Sequence, residues 1–434
     1  MGARVVLLVA MISGCSRASG GSHKPVRRPR APEAASAAPA TAAVAATTAP
    51  QHRLVATPRE RGAHFGHAVA QSQSSLVIGS PGHQPGGAVY IFEGTGSSMK
   101  QQLLAPPFLQ KYDAFGDHVA IDNDLALVTA PYRKIAGAEG FVFTFKQTPQ
   151  GWVQSGSPMH APGSAQPDRF GSAIALSGAS LLVGAPERHT GGRIGQGAAY
   201  IFQREGEVWT SHGPPLVASD GQAEDRFGLE VALDQDLAIV SAVDRNVDGH
   251  KHAGAVYVFE RTALGWTQRQ VLTAQDGDAD EYFGSAIAVS GNSLLISSYL
   301  HTVGTSFRQG AVYPFFKDGA EWIAGPILTA SDGGDDDRFG YAIAMDGNRA
   351  IIGDIPYKTG HRSNRGAAYV FERHGRAWLQ KGDPIEATDG NASDDFGTAL
   401  SIRGTTAVIG ASQQGPEAED NPGAAYMLRL AAEE

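Results

Sequence analysis

The sequence predicts an all-β protein, a seven-bladed β-propeller of four-stranded blades, on three observations. First, a Phe-Gly pair recurs at residues 65, 115, 170, 227, 283, 339 and 396, spaced by 50, 55, 57, 56, 56 and 57 residues. Such self-similarity marks a chain of stacked units. Second, each unit carries four short runs with period-2 alternation, bounded by Gly, Asp, Ser and Asn turns. Third, the strand count closes. After the last A-B-C triplet only "RLAAEE" remains, and the missing outer strand lies at the other end, in "HRLVATP" (52–58). One twisted sheet cannot bury both faces, so copies stack radially and the N-terminal strand should clasp the last blade.

The third unit shows the elements in order. Strand A is "FGSAIAL" (170–176), B is "SLLVGAP" (180–186), C is "GAAYIF" (197–202) and D is "WTSHGPPLVA" (209–218). About ten irregular residues are expected between B and C. All five tryptophans, Trp152, Trp209, Trp266, Trp322 and Trp378, share one place just after strand C. The 54 glycines and a charged fraction of 18% suit many tight turns.

The Phe-Gly pairs, with "GSP" (79–81), "TAP" (129–131) and "GAP" (184–186), resemble FG-GAP repeats. Those repeats form the propeller at the head of integrin α subunits, and this chain looks closest to the bacterial class. The resemblance covers residues 53 to about 430 and implies the fold and a binding or adhesion role. Later copies drift to "SAV" (241–243), "SSY" (297–299), "GDI" (353–355) and "GAS" (410–412). Integrin-type propellers hold calcium in the A→B connection. The A→B turns here are too short to wrap a cation with six or more oxygens. Asp122, Asp124, Asp234 and Asp236 therefore read as turn residues.

The N-terminus reads as an export signal over residues 1–14: Arg4, an apolar run from Val5 to Ile12, then small residues. Ile12-Ser13-Gly14-Cys15 resembles a bacterial lipobox, which implies lipidation of Cys15, the sole cysteine. Residues 15–52 are Ala/Pro-rich and read as a disordered tether, and residues 53–434 as the propeller. The expected location is the cell envelope, as a lipoprotein of the outer membrane or cell surface, with the lipid as membrane partner. Net charge is −9, although residues 1–52 are net positive, so the rest of the chain is the more acidic. An acidic folded part argues against nucleic acid as a partner. A monomer is expected.

Length and chemistry gather on the face carrying the B→C and D→A loops. B→C loops such as "ERHTGGRIGQ" (187–196) and "DRNVDGHKHA" (244–253) are basic and His-bearing. D→A loops such as "QDGDADEY" (275–282) and "SDGGDDDR" (331–338) are acidic. An acid that recurs in register belongs to the scaffold. Two places before Phe stand Asp113, Asp168, Asp225, Glu281, Asp337 and Asp394, with Ala63 the exception; seven before stand Asp220, Asp276, Asp332 and Asp389, each followed by Gly. Both positions suit turns. Glu224, Asp278, Asp280, Asp335, Asp336 and Asp395 read as local additions, freer for ligand.

The ligand candidates are Glu224, Asp244, Asp248, His250, His252, Tyr299, Arg308, Asp335, Asp336, Tyr357 and Arg362. Asp276, Asp278 and Asp280 alternate like the start of a calcium loop, without its glycine and terminal acid; calcium is the candidate cation. No Walker loop, His-Glu-x-x-His or Gly-x-Ser-x-Gly occurs. The leading reading is a non-catalytic envelope module recognising protein or glycan through these loops. A metal-assisted hydrolase using the acidic face and an architectural envelope protein are the alternatives.

Overall fold

Branched and aromatic residues alternate with small ones in every unit, and each unit zips its runs into one antiparallel four-stranded sheet. The computed structural model describes residues 51–94, 99–163, 167–356, 365–389, 394–412 and 422–431. In the third blade, strands A to D are Ile174–Ser177, Ser180–Ala185, Ala198–Glu205 and Val208–Ser211. Seven such sheets form a ring: inner A strands touch in succession, from Val69–Gln71 round to Phe396–Arg403 and back. B→C and D→A loops share one end of the ring, here called the loop face.

The ring closes as the strand count predicts. His52–Leu54 pairs antiparallel with Ala424–Arg429, the third strand of the seventh blade, with Leu54 opposite Ala425. Outer strands are tied across blades by side-chain amides. Gln102 donates from Nε2 to the Trp152 carbonyl and accepts from its N–H, each at 2.8 Å, and Gln270 makes the same pair of bonds at Trp322, at 3.0 and 2.8 Å. At the closing strand Gln51 plays this part, bonding the Glu386 carbonyl and the Thr388 N–H.

The repeated motif is itself the seam between blades. Each Phe stands edge-on to an aromatic of its own strand C, as Phe227 does 5.4 Å from Tyr257, and is fully buried. The glycine after it donates to the strand B residue beside it, Gly171 to the Gly184 carbonyl at 2.9 Å. Gly184 in turn faces the next blade: a Cβ there would stand 1.9 Å from the Gly228 carbonyl oxygen. The Phe-Gly and Gly-Ala-Pro glycines are thus two halves of one close approach. Thr129, Ser241 and Ser297 replace the strand B glycine in three blades, and the drift of the motif there leaves the strands intact.

Two details depart from expectation. In the second blade the residues expected as an irregular B→C loop are strand: Leu125–Ile135 and Ala138–Thr148 run on into a hairpin turning at Ala136 and Gly137, both with positive φ. The A→B turns span two residues in six blades and three in the first, and their polar residues, expected only to turn the chain, link blades. Asp234 Oδ2 accepts Gly291 N–H at 2.7 Å and Asp346 Oδ2 accepts Gly404 N–H at 2.6 Å.

Candidate functional site

The loop face is built on two recurring carboxylate positions. Seven places before Phe, the acid accepts the strand C tyrosine hydroxyl 37 residues on: Asp220 from Tyr257, Asp276 from Tyr313, Asp332 from Tyr369 and Asp389 from Tyr426, all at 2.8–2.9 Å. Two places before Phe, the carboxylate caps the turn and binds a cation from the B→C loop. Asp225 accepts Gln222 N–H at 2.7 Å and pairs with Arg245 at 3.0 Å. Asp168 pairs with Arg188 at 2.6 Å, Asp113 with Arg133, and Glu281 with His301 at 2.9 Å. These acids, with Asp337 and Asp394, are buried. Where Ala63 breaks the series, Glu60 supplies the carboxylate instead, 2.6 Å from His83 Nδ1.

The sixth blade handles this position differently. Asp337 is fully buried, and Asp354 stands fully buried in strand B, where other blades have Ala185, Ala242 or Ser298. Burial pushes the Asp354 carboxyl well above the usual range; the Asp337 charge adds to this, and the bond from Tyr369 offsets part. The fold therefore holds this proton when the unfolded chain has released it, so Asp354 lowers stability increasingly as pH rises above about 4. Asp354→Ser is expected to gain about 2 kcal/mol at neutral pH and nothing at pH 3. Urea denaturation across pH checks this; a gain independent of pH would show that ionisation is not the cause.

The trio Asp276, Asp278 and Asp280 does not converge. Asp276 is engaged by Tyr313, while Asp278 Oδ1 lies 2.7 Å from His250 Nδ1 and Asp280 Oδ1 lies 2.8 Å from His252 Nδ1. Alternate residues of this turn face different neighbours, so the spacing of a calcium loop does not give its geometry. Among the described residues no group of three His, Cys, Asp or Glu side chains is arranged to hold a metal ion. His250 and His252 both reach across to the next D→A loop, at Asp278 and Asp280.

Glu224, Asp280 and Asp336 are not irregular additions. Each stands three places before Phe with φ of 65°, 62° and 60°, and donates its N–H to the preceding B→C loop, at Ile194, Lys251 and Phe307. Their backbone is scaffold, while Glu224 and Asp280 remain exposed. Asp335 accepts Phe307 N–H at 2.8 Å, and Arg308 lies over the Phe307 ring. Phe307 and Ile194 are 52% and 63% exposed at the loop tips. Tyr299 stands edge-on to Tyr341 at 5.6 Å. Tyr357 and Arg362 lie outside the described residues.

Nearer the axis the structure assembles side chains that sequence reading passed over. The residue before Phe has positive φ in every blade, from His64 to Asp395. Two of these arginines pair with the B→C loop at one equivalent place, Arg169 with Glu187 and Arg226 with Asp244, both at 3.1 Å. Burial raises the Asp244 carboxyl, with Arg226 opposing. At the start of strand A, Asp117 lies 3.0 Å from His118 Nδ1 and 3.4 Å from His67 Nε2. Burial works against the Asp117 charge, but the two histidines outweigh it and hold the carboxyl below its usual range. "Arg-Phe-Gly", present three times, was the one sequence signal for this inner ring.

A family model described as the FG-GAP repeat matches residues 49–92, 154–202, 214–259, 266–316, 322–371 and 381–428. The unmatched stretch contains the second blade with its lengthened hairpin. No curated protein matches the chain. Among solved structures, a candidate 6-phosphogluconolactonase from Bacteroides uniformis aligns with a TM-score of 0.49 at 11% identity, over 75% of this chain and 86% of that one. That similarity is too distant to bear on this chain.

Proposed function

The chain belongs to the FG-GAP repeat family, and on that premise we propose that it is a non-catalytic recognition module. It is tethered to the cell envelope through lipidated Cys15 and takes a protein or glycan on its loop face. One observation carries this reading. The acids that recur in register are consumed by turns, tyrosines and cations, whereas the loop tips between them present exposed Ile194 and Phe307, with the half-buried Arg308 over the Phe307 ring, on a rigid frame. Loops held this way supply recognition without disturbing the ring. Aromatic and arginine side chains at such tips are the usual anchors of an interface.

The test is sedimentation of the full-length protein with cell-envelope material. The double variant Phe307→Ala/Arg308→Ala is expected to lose at least about tenfold in binding, the equivalent of one anchor contact. Its thermal midpoint should stay unchanged, because neither side chain is buried. Unchanged binding by a folded variant, or turnover of substrate in a broad hydrolase screen, would sink the reading.

A further inference from the structure

Three consecutive B→C loops share one frame and so control for one another. Residues 187–196, 244–253 and 300–309 are each ten long, and each closes a small bridge, Thr190 to Arg193, Val247 to His250 and Val303 to Ser306. Each ends on the residue before the strand C glycine. In the third and fifth blades that residue is glutamine. Gln196 and Gln309 are 2% and 6% exposed and turn inward between their own loop and the following D→A turn. Gln196 Nε2 reaches the Ala218 carbonyl at 3.4 Å, and its Oε1 accepts from Thr190 at 2.7 Å. A Cβ added at Gly221 or Gly333 would meet these amides at 2.3 and 2.2 Å, so they fill the space completely.

The fourth blade has Ala253 at this place. The frame is kept, since Phe283 N–H still bonds the Ala253 carbonyl at 2.9 Å, but the side chain is missing. In its stead lies a part-open cavity of about 200 Å³, whose lining includes Val247, Asp248, His250, Ala253, Ala274 and Gln275. That exceeds the roughly 150 Å³ left by removing a large aliphatic side chain from a core. Ala218 and Ala330, under their glutamines, are 3% and 5% exposed, whereas the equivalent Ala274 is only half-buried. At Gly277 an added Cβ would meet nothing but Ala274.

We propose that this cavity is a binding site for the acetamido group of an N-acetylated sugar, which occupies the place of the missing glutamine amide. This deepens the reading of the loop face as a recognition surface and rests on it. The chemistry follows from what the frame accepts in the neighbouring blades, a planar carboxamide against the D→A turn. Val247, Ala253 and Ala274 are the apolar part of the lining and would take the acetyl methyl, while Asp248 adds a carboxylate that can accept from a sugar hydroxyl. Thr273, Gln275 and His250 stand at the rim, where a sugar ring carries hydroxyls. The excess of volume over one side chain favours a ring bearing an acetamido group over a bare Asn or Gln side chain of a peptide.

Full-length protein is titrated by saturation-transfer NMR with N-acetylglucosamine, with glucose, and with N-acetylglutaminamide as the peptide source of the same amide. N-acetylglucosamine is expected to bind the wild type, with the other two weaker by about tenfold or more. Ala253→Gln restores the residue that two neighbouring blades carry, so it is expected to fold and to weaken N-acetylglucosamine by a similar factor. If that variant cannot be purified, Gln275→Ala at the exposed rim serves, with the same weakening expected. Equal binding by the variants, no binding of the sugar by the wild type, or preference for the peptide amide would each overturn the proposal. If Ala253→Gln leaves envelope sedimentation intact while Phe307→Ala/Arg308→Ala abolishes it, the sugar site falls and the recognition surface stands.

Discussion

Leu54→Asp is expected to lower the stability of the whole propeller by about 4 kcal/mol, more than almost any surface change could. Leu54 is 4% exposed in the three-residue strand that completes the seventh blade, and it packs in one cluster with Phe65, Val69 and Tyr90 of the first. A carboxylate there would be buried among apolar side chains, and the strand that joins the two ends of the chain is too short to hold on backbone bonds alone. Leu103→Asp is the control. It also stands on an outer strand, Lys100–Leu104, but is 37% exposed, and is expected to shift stability by about 0.5 kcal/mol or less. Urea denaturation of both variants decides it. Equal midpoints would mean that the terminal strand does not lock the ring.

The second large effect is at the seam. Gly197→Ala is expected to cost about 3 kcal/mol or more, because Gly197 has φ of +87° and a Cβ there would stand 2.1 Å from the Phe227 carbonyl oxygen. The obstacle is the backbone of the next blade, which cannot rotate away. Gly206→Ala separates strain from contact. Its φ is +63° with nothing within 4 Å, so it is expected to cost about 1 kcal/mol, the price of the left-handed conformation alone. Similar losses for both would place the whole effect in φ and remove the seam argument.

The scaffold acids show how far the residues themselves could be read. Asp220, Asp332 and Asp389 were legible as fixed positions because they recur, yet their partner, a tyrosine hydroxyl 37 residues away, was not. Glu224, Asp280 and Asp336 share a register that counting back from Phe reveals, but their left-handed backbone and their bond to the preceding loop lie in the structure alone. The acidic trio of the fifth D→A loop failed for a related reason. Spacing along an irregular turn does not say which neighbour each carboxylate faces, and His250 and His252 come from the loop before.

By itself the sequence determined the repeat, the seven blades, the four strands of each and the borrowed closing strand. Those follow from alternation within a few residues and from a period that seven copies make unmistakable. Only the tertiary structure decided what the loop face holds. The contacts that consume Asp225, pair Arg226 with Asp244 and empty the space beside Ala253 join loops from different strands or different blades. Blade stacking creates such contacts, and no local pattern encodes them. The alanine at 253 is one small residue among many in the sequence, and becomes a cavity only where two neighbouring blades show the glutamine that should have filled it.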